Sequence, residues 1–342
     1  MAVTDITPIA QQDLSLPDMI LKGVHGTCFS NGYIWCSCRN AAYLGRVPIN
    51  DYANYEVITP SDMTANMESV IKAKNLIWVS GTGVTNKTFW ITTDLSNSGS
   101  ISPVNTFGPS VADGQYLYAG TAVITKIDLT TKSVVLSRDI SDDVPPPNLS
   151  PHAMVQDGDY LYISSAPPGD TASGGWFQKV RKSDLVTESY ARIPMCTDDM
   201  GQDSSYCYLG IEVPQSATGS IGYSSGSIRI SKSDLSIYSV PRFDTETSNS
   251  VCYAAQVFGE YLFDCKTNNH IYVMSLPDLT LVKDYRLVGL DNSSGSINEI
   301  IRDDEGYFHL TQWNNNGYAG SCIVKVQLDL VFHSSKSIVI SE

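Results

Sequence analysis

Charge is what this sequence has least of. Asp, Glu, Lys and Arg make up 17% of its 342 residues, against roughly 25% in ordinary globular chains. Its surface must therefore be finished with Ser, Thr, Asn, Gly and Tyr. The charge present is one-sided: 36 acidic residues against 22 basic ones, a net −14. Repulsion from such a surface disfavours nucleic acid and anionic lipid as partners, and no Lys/Arg cluster supplies a local exception. No stretch approaches the roughly 20 apolar residues that span a bilayer. The opening MAVTDITPIAQQDL lacks the basic and apolar regions of a signal peptide. The expectation is a chain made in the cytoplasm without a leader and without membrane insertion.

Other absences exclude chemistry. Eight cysteines (28, 36, 38, 196, 207, 252, 265 and 322) show no CxxC spacing, so they read as buried core thiols rather than zinc ligands. HExxH, GxSxG and an EF-hand loop are all missing. Gly81 to Thr88 looks like a phosphate loop, but Asn86 stands where glycine is required and no helix follows. Helical periodicity does not persist over any useful length. The formal glycosylation sites at Asn86, Asn148 and Asn292 mean little without a secretory signal.

What is present is a sevenfold repeat. An aromatic-rich opener recurs as Tyr33-Ile34-Trp35, Leu76-Ile77-Trp78, Tyr116-Leu117-Tyr118, Tyr160-Leu161-Tyr162, Tyr206-Cys207-Tyr208, Tyr261-Leu262-Phe263 and Tyr307-Phe308-His309. A closer follows each: Asp51-Tyr52, then Asp-Leu at 94, 128, 184, 234 and 278, and Asp329-Leu330. Short strands repeating every 40 to 55 residues or so are the signature of a β-propeller. The reading is all-β: one seven-bladed propeller of four-stranded antiparallel blades, over about 24–60, 66–105, 107–142, 150–194, 196–243, 250–288 and 296–341. Blade three shows the unit: a turn at Ala112 to Gln115, strands from Tyr116 to Gly120 and Val123 to Leu129, and an outer strand from Ser133 to Ser137. Residues 1–16 form an N-terminal arm that covers an edge or grips a partner. Blade seven is expected to supply its own outer strand from Lys336 to Ile340.

Long hairpins in blades four (166–175) and five (213–226) are common places for binding, and equally common places for tolerated insertions. Trp176, Tyr223, Trp313 and Tyr318 are the aromatic candidates near such loops.

Counting back eight residues from each opener gives His25, Glu68, Gly108, His152, Asp198, Tyr253 and Glu299. The innermost strands of a propeller run along its axis, so equivalent positions form a ring around the channel. Five of these seven are His, Glu or Asp, in a chain with only five histidines; Asp199 adjoins them. Glu68, Asp198, Glu299, His25 and His152 are candidates for a divalent cation such as Mg, Mn, Zn or Ca, with His25 and His152 as proton-moving candidates. The alternative is a polar, water-filled channel without substrate.

The phrases Val24-His25-Gly26 to Trp35 and Pro151-His152-Ala153 to Tyr162 resemble blades of the streptogramin-lyase and lactonase propellers. That resemblance implies axial His and Glu residues serving a metal-assisted lyase or hydrolase site. The surface texture resembles that of bacteriophage virion proteins, implying a non-enzymatic platform that meets other proteins of an assembly or a cell-surface glycan. A chain without a leader reaches the outside in that way, since virions assemble before lysis. Gly-His and Trp-Asp signatures are missing from their usual places, which argues against a WD-type scaffold.

Overall fold

The computed structural model describes residues 2–13, 24–38, 42–60, 67–81, 87–102, 108–145, 150–166, 174–194, 199–211, 226–240, 252–266, 269–290, 295–314, 321–330 and 332. Seven sheets, each of at least four strands, form the blades of one propeller. The innermost strands are Val24–Ser30, Met67–Ala73, Ser110–Ala112, Ser150–Asp157, Gly201–Gln202, Cys252–Phe258 and Gly295–Arg302. Each pairs antiparallel with an opener strand, from Tyr33–Cys38 in blade 1 to Phe308–Asn314 in blade 7. Among the described residues, inner strands of successive blades touch at six of the seven junctions, and Gly295–Arg302 meets Val24–Ser30 to close the ring. Between blades 4 and 5, Gln202 Nε2 donates to Gln156 O at 2.9 Å.

The openers are aromatic because they lie between two packed sheets and bury side chains on both faces. Trp35, Trp78, Tyr118 and Tyr208 are each at most 1% exposed. Seven apolar clusters fill the gaps between blades. The seven described cysteines are all free, and Cys36, Cys38, Cys207, Cys252 and Cys265 sit inside this core. Burial pushes the Cys36 thiol up to about 12, and raises Cys265 well above its ordinary value.

The closers are turns rather than strand ends. Strand three of blade 3 stops at Asp128, short of the Leu129 expected from the sequence, and those of blades 4 and 6 stop at Arg181 and Ser275, before their Asp-Leu pairs. The Asp carboxylate accepts the backbone N–H two residues on, as Asp184 does from Val186 and Asp234 from Ser236. The following leucine is then left-handed: Leu95, Leu185, Leu235 and Leu279 have φ of 64°, 56°, 57° and 54°. A β-strand cannot continue through such a residue.

Ring closure differs from the expectation. The outer strand of blade 7 is Ala10–Asp13, paired antiparallel with Ser321–Val326; residues 333–342 lie outside the described residues. A strand from the N-terminus thus completes the last blade and ties the chain's two ends into one sheet, covering an edge that would otherwise stand open. The rest of the expected arm does cover an edge. Val3–Ile6 adds a fifth, parallel strand to blade 6 against Asp284 to Leu287. The seam is also pinned by a buried group of side chains. Tyr52 of blade 1 bonds His309 Nδ1 of blade 7, and His309 Nε2 lies 2.8 Å from Asp303 Oδ2.

Candidate functional site

A cavity of about 370 Å³ occupies the hub, and every blade contributes to its wall: Thr27, Ser69, Ser110, His152, Asp199, Gln256 and Glu299 are among the lining residues. The inner strands build this wall in a particular way. Five of the seven carry a β-bulge, with the register shifting between Val24 and Thr27, Met67 and Ser69, Pro151 and Ala153, Cys252 and Ala254, and Ile297 and Glu299. The inner strand there has one residue more than its neighbour; in blade 1 this sets His25 and Gly26 together against Ser37. A bulge twists the strand and re-aims the extra side chain. The residues at the bulges are His25 with Gly26, Glu68, His152, Tyr253 and Asn298. In blades 3 and 5 the inner strands start beyond the equivalent position, at Ser110 and Gly201.

The eightfold count therefore finds the bulge in four blades and misses it by one in blade 7. There the turn into the opener closes from Asp303 N to Tyr307 O, four residues on. In blades 3 and 5 it closes three on, from Asp113 to Tyr116 and from Asp203 to Tyr206. The extra turn residue shifts the count onto Glu299, which pairs opposite Thr311 and faces the cavity. Asn298, the bulged residue, is 7% exposed and donates from Nδ2 to Val24 O across the seam at 3.2 Å.

The wall is polar and acidic. Asp199 accepts from Met200 N at 2.8 Å and from Gln256 Nε2 at 2.5 Å, which links blades 5 and 6. Ser69 and Ser110 join blades 2 and 3 through their hydroxyls at 2.5 Å. The negative charges of Asp264, Asp199 and Glu299 add to burial in raising the Cys265 thiol. Such a chamber favours cations and neutral hydrogen-bond donors over anions.

Of the sequence candidates, the structure brings His152 and Glu299 to one cavity, with Asp199 beside them. The backbones of His25 and Glu68 lie at the equivalent bulges, but their side chains, and the whole of Asp198, are outside the described residues. Among the described residues no three His, Cys, Asp or Glu side chains stand close enough to hold a metal ion, so no chemical step is derived through one. Sequence reasoning missed Ser69, Ser110 and Gln256; small or amide side chains carry no chemical signature that singles them out.

Trp176 is half-buried on the third strand of blade 4, edge-on to Tyr190 with ring centroids 5.4 Å apart, and Arg192 lies 5.9 Å from its ring. Blade 5 repeats the theme, with the Arg229 guanidinium 4.6 Å from the Tyr206 ring and 4.8 Å from Tyr238. Tyr223 and Tyr318 are outside the described residues, as is the side chain of Trp313.

No protein-family description matches this chain, and no curated protein does. Solved structures do. A streptogramin B lyase is 14% identical with a TM-score of 0.64, over 93% of this chain and 98% of that one. Virginiamycin B lyase from Staphylococcus aureus is 11% identical with a TM-score of 0.66, over 93% and 99%. The Pan2 WD40 domain of Neurospora crassa is 10% identical with a TM-score of 0.69, over 97% and 98%. At these identities the likeness is one of fold: the chain is a seven-bladed propeller like theirs.

Proposed function

We propose that this propeller is a non-enzymatic recognition and assembly platform that works through the rim of blades 3 to 5. The seven-bladed propeller is a fold used for protein interaction. The observation that carries the reading is the distribution of exposed apolar side chains. Val134, Val135, Tyr190 and Tyr238 are 39%, 53%, 45% and 46% exposed and sit on the outer strands of three consecutive blades, whereas the other exposed large apolar side chains among the described residues, Val3, Ile9 and Val57, are single aliphatic residues elsewhere on the ring. Arg192 and Arg229 lie against the aromatics. Tyr, Trp and Arg are the side chains most enriched where binding energy concentrates. At the finer level, the platform is a structural component of a bacteriophage virion that meets other virion proteins or a host-surface glycan. The support is compositional: 17% charged residues and 19 tyrosines, a surface of hydroxyl, amide and aromatic groups.

Sedimentation of the protein from its native source tests the platform reading. It should travel in a large assembly, and Tyr190→Ala with Tyr238→Ala should release at least half of it as monomer. A wild-type protein that sediments only as monomer contradicts the reading.

A second reading is favoured by the hub: a metal-assisted lyase or hydrolase with His152 and Glu299 at the cavity, the activity named for two of the structural neighbours. Metal analysis of the purified protein separates the two readings. A stoichiometric divalent cation that is lost in both His25→Ala and Glu299→Ala would favour the enzyme.

A further inference from the structure

The outer edges of the blades are treated unequally. Those of blades 1 and 2 are only three or four residues long, Glu56–Ile58 and Ser98–Ile101, and the described part of the blade 5 edge is Ile237–Val240. Short edges offer little to a stray strand. Blade 4 has a seven-residue edge, Thr187–Ile193, but exposes Glu188 and Arg192 on it. Charges of both signs discourage pairing. The eight-residue edge of blade 6, Thr280–Leu287, is covered by Val3–Ile6. Among the described edges, blade 3 combines length with exposed β-branched residues: Ser133–Asp139 has Val134 and Val135 open to solvent, and its charges, Arg138 and Asp139, stand together at one end. Among the described residues no strand pairs with its outer side.

Blade 6 shows how such an edge takes a fifth strand, and blade 3 matches it residue for residue as far as Ile140; beyond that Ser141 N, the counterpart of Val288 N, already donates to Asp139 Oδ1 at 2.9 Å. Ser275 pairs with Thr280 in one, Asp128 with Ser133 in the other. Both outer strands bulge one step later, at Val282 and at Val135. Ser137, Arg138, Asp139 and Ile140 therefore stand where Asp284, Tyr285, Arg286 and Leu287 receive the added strand. The backbone agrees. Leu287 N and Ile140 N both point inward, to Asn269 O and Ala122 O at 2.9 Å, whereas Val288 N points outward to Ile6 O. Alternation along the strand then turns the N–H groups of Ser137 and Asp139 to the open side.

One side chain is inverted. In blade 6, Arg286 donates from Nε and Nη2 to the carboxylate of Asp5 at 2.9 and 3.0 Å. Its counterpart in blade 3 is the exposed Asp139, whose Oδ1 accepts from Ser141. An incoming strand must present the opposite charge there, and a net charge of −14 favours a basic segment over a second copy of this chain.

We infer that the edge of blade 3 binds an extended segment of a partner protein by strand addition, with Lys or Arg set against Asp139. The inference rests on the platform reading and names the kind of partner segment that one part of the rim takes.

The test titrates fluorescent synthetic peptides into the full-length protein, read by anisotropy. One peptide copies residues 2–8 with Asp5→Arg; the control keeps Asp5. The Asp5→Arg peptide should saturate and bind about threefold more tightly than the control, as expected for an exposed ion pair. Asp139→Arg in the protein should reverse that order. Ser137→Pro removes one outward N–H and should abolish saturable binding while the protein melts within a few degrees of wild type, since edge strands tolerate proline. No saturation with the Asp5→Arg peptide, or equal binding to wild type and both variants, overturns the inference. A dimer in sedimentation velocity that Ser137→Pro dissolves would assign the edge to a second copy and also overturn it. Failure here leaves the Tyr190 and Tyr238 experiment intact, because that one reads blades 4 and 5.

Discussion

A leucine in the left-handed region is the residue-scale peculiarity of this fold. That conformation costs roughly 1–2 kcal/mol in an L-residue, yet four closers accept it with leucine rather than glycine. Burial offsets the cost: Leu185 and Leu279 are 0% and 1% exposed, and a fully buried leucine contributes about 1.5–3 kcal/mol. Leu185→Ala should therefore lower stability by about 2–5 kcal/mol in urea unfolding. Leu185→Gly should be no worse than alanine, because it removes the strain that alanine keeps. An alanine variant clearly more stable than the glycine one would contradict this. The aspartates beside these leucines set the acid limit. Hydrogen bonds from neighbouring hydroxyls and backbone N–H groups hold Asp94 and Asp234 to about 2 and Asp128 below the ordinary value, and the Arg181 guanidinium, with the Val186 N–H, lowers Asp184. Their folded pKa values lie under the unfolded value of about 3.9. The stability they provide is complete above about pH 4 and is lost as pH falls toward 2. Urea midpoints should drop steeply over that interval, and less steeply in Asp94→Asn with Asp234→Asn.

At the scale of elements, the seam between blades 7 and 1 is tied by buried side chains as well as by the shared sheet. Tyr52 and His309 meet across it in a site where both are nearly inaccessible, at 5% and 2% exposure. Burial lowers the His309 pKa despite Asp303, so the neutral ring is favoured in the folded state and stability begins to fall as pH drops below about 6.5. Tyr52→Phe should leave His309 Nδ1 without its donor, at a cost of about 1–3 kcal/mol in thermal or urea unfolding. An unchanged stability would show that the contact does not hold the seam. This element was not legible in the sequence. Lys336 to Ile340 has the apolar alternation of an outer strand, whereas Ala10 to Asp13 reads as polar linker. Pairing with Ser321–Val326 is a long-range choice that local propensity does not encode. Openers were legible because burial on both faces demands aromatic and branched residues. Closers were legible as a repeat and misread as strand, since a leucine gives no sign of positive φ. The hub ring was legible by counting until one additional turn residue in blade 7 moved the count from Asn298 to Glu299.

For the molecule as a whole, seven blades place two kinds of surface at opposite ends of each sheet. Inner strands end at an acidic, bulge-lined cavity; outer strands end at a rim where four of the seven exposed large apolar side chains among the described residues, both tyrosines included, lie on three adjacent blades. Number and order of the blades could be read from a repeated phrase. The use of the rim could not, because exposed valine and tyrosine on an outer strand look in sequence like their buried counterparts. Cross-linking mass spectrometry on the native assembly asks the central question most directly. The account predicts that cross-links to partner proteins cluster on residues 126–139, 179–192 and 229–238, the third and outer strands of blades 3 to 5. Partner cross-links spread evenly around the ring, or confined to blades 1, 2, 6 and 7, would contradict it.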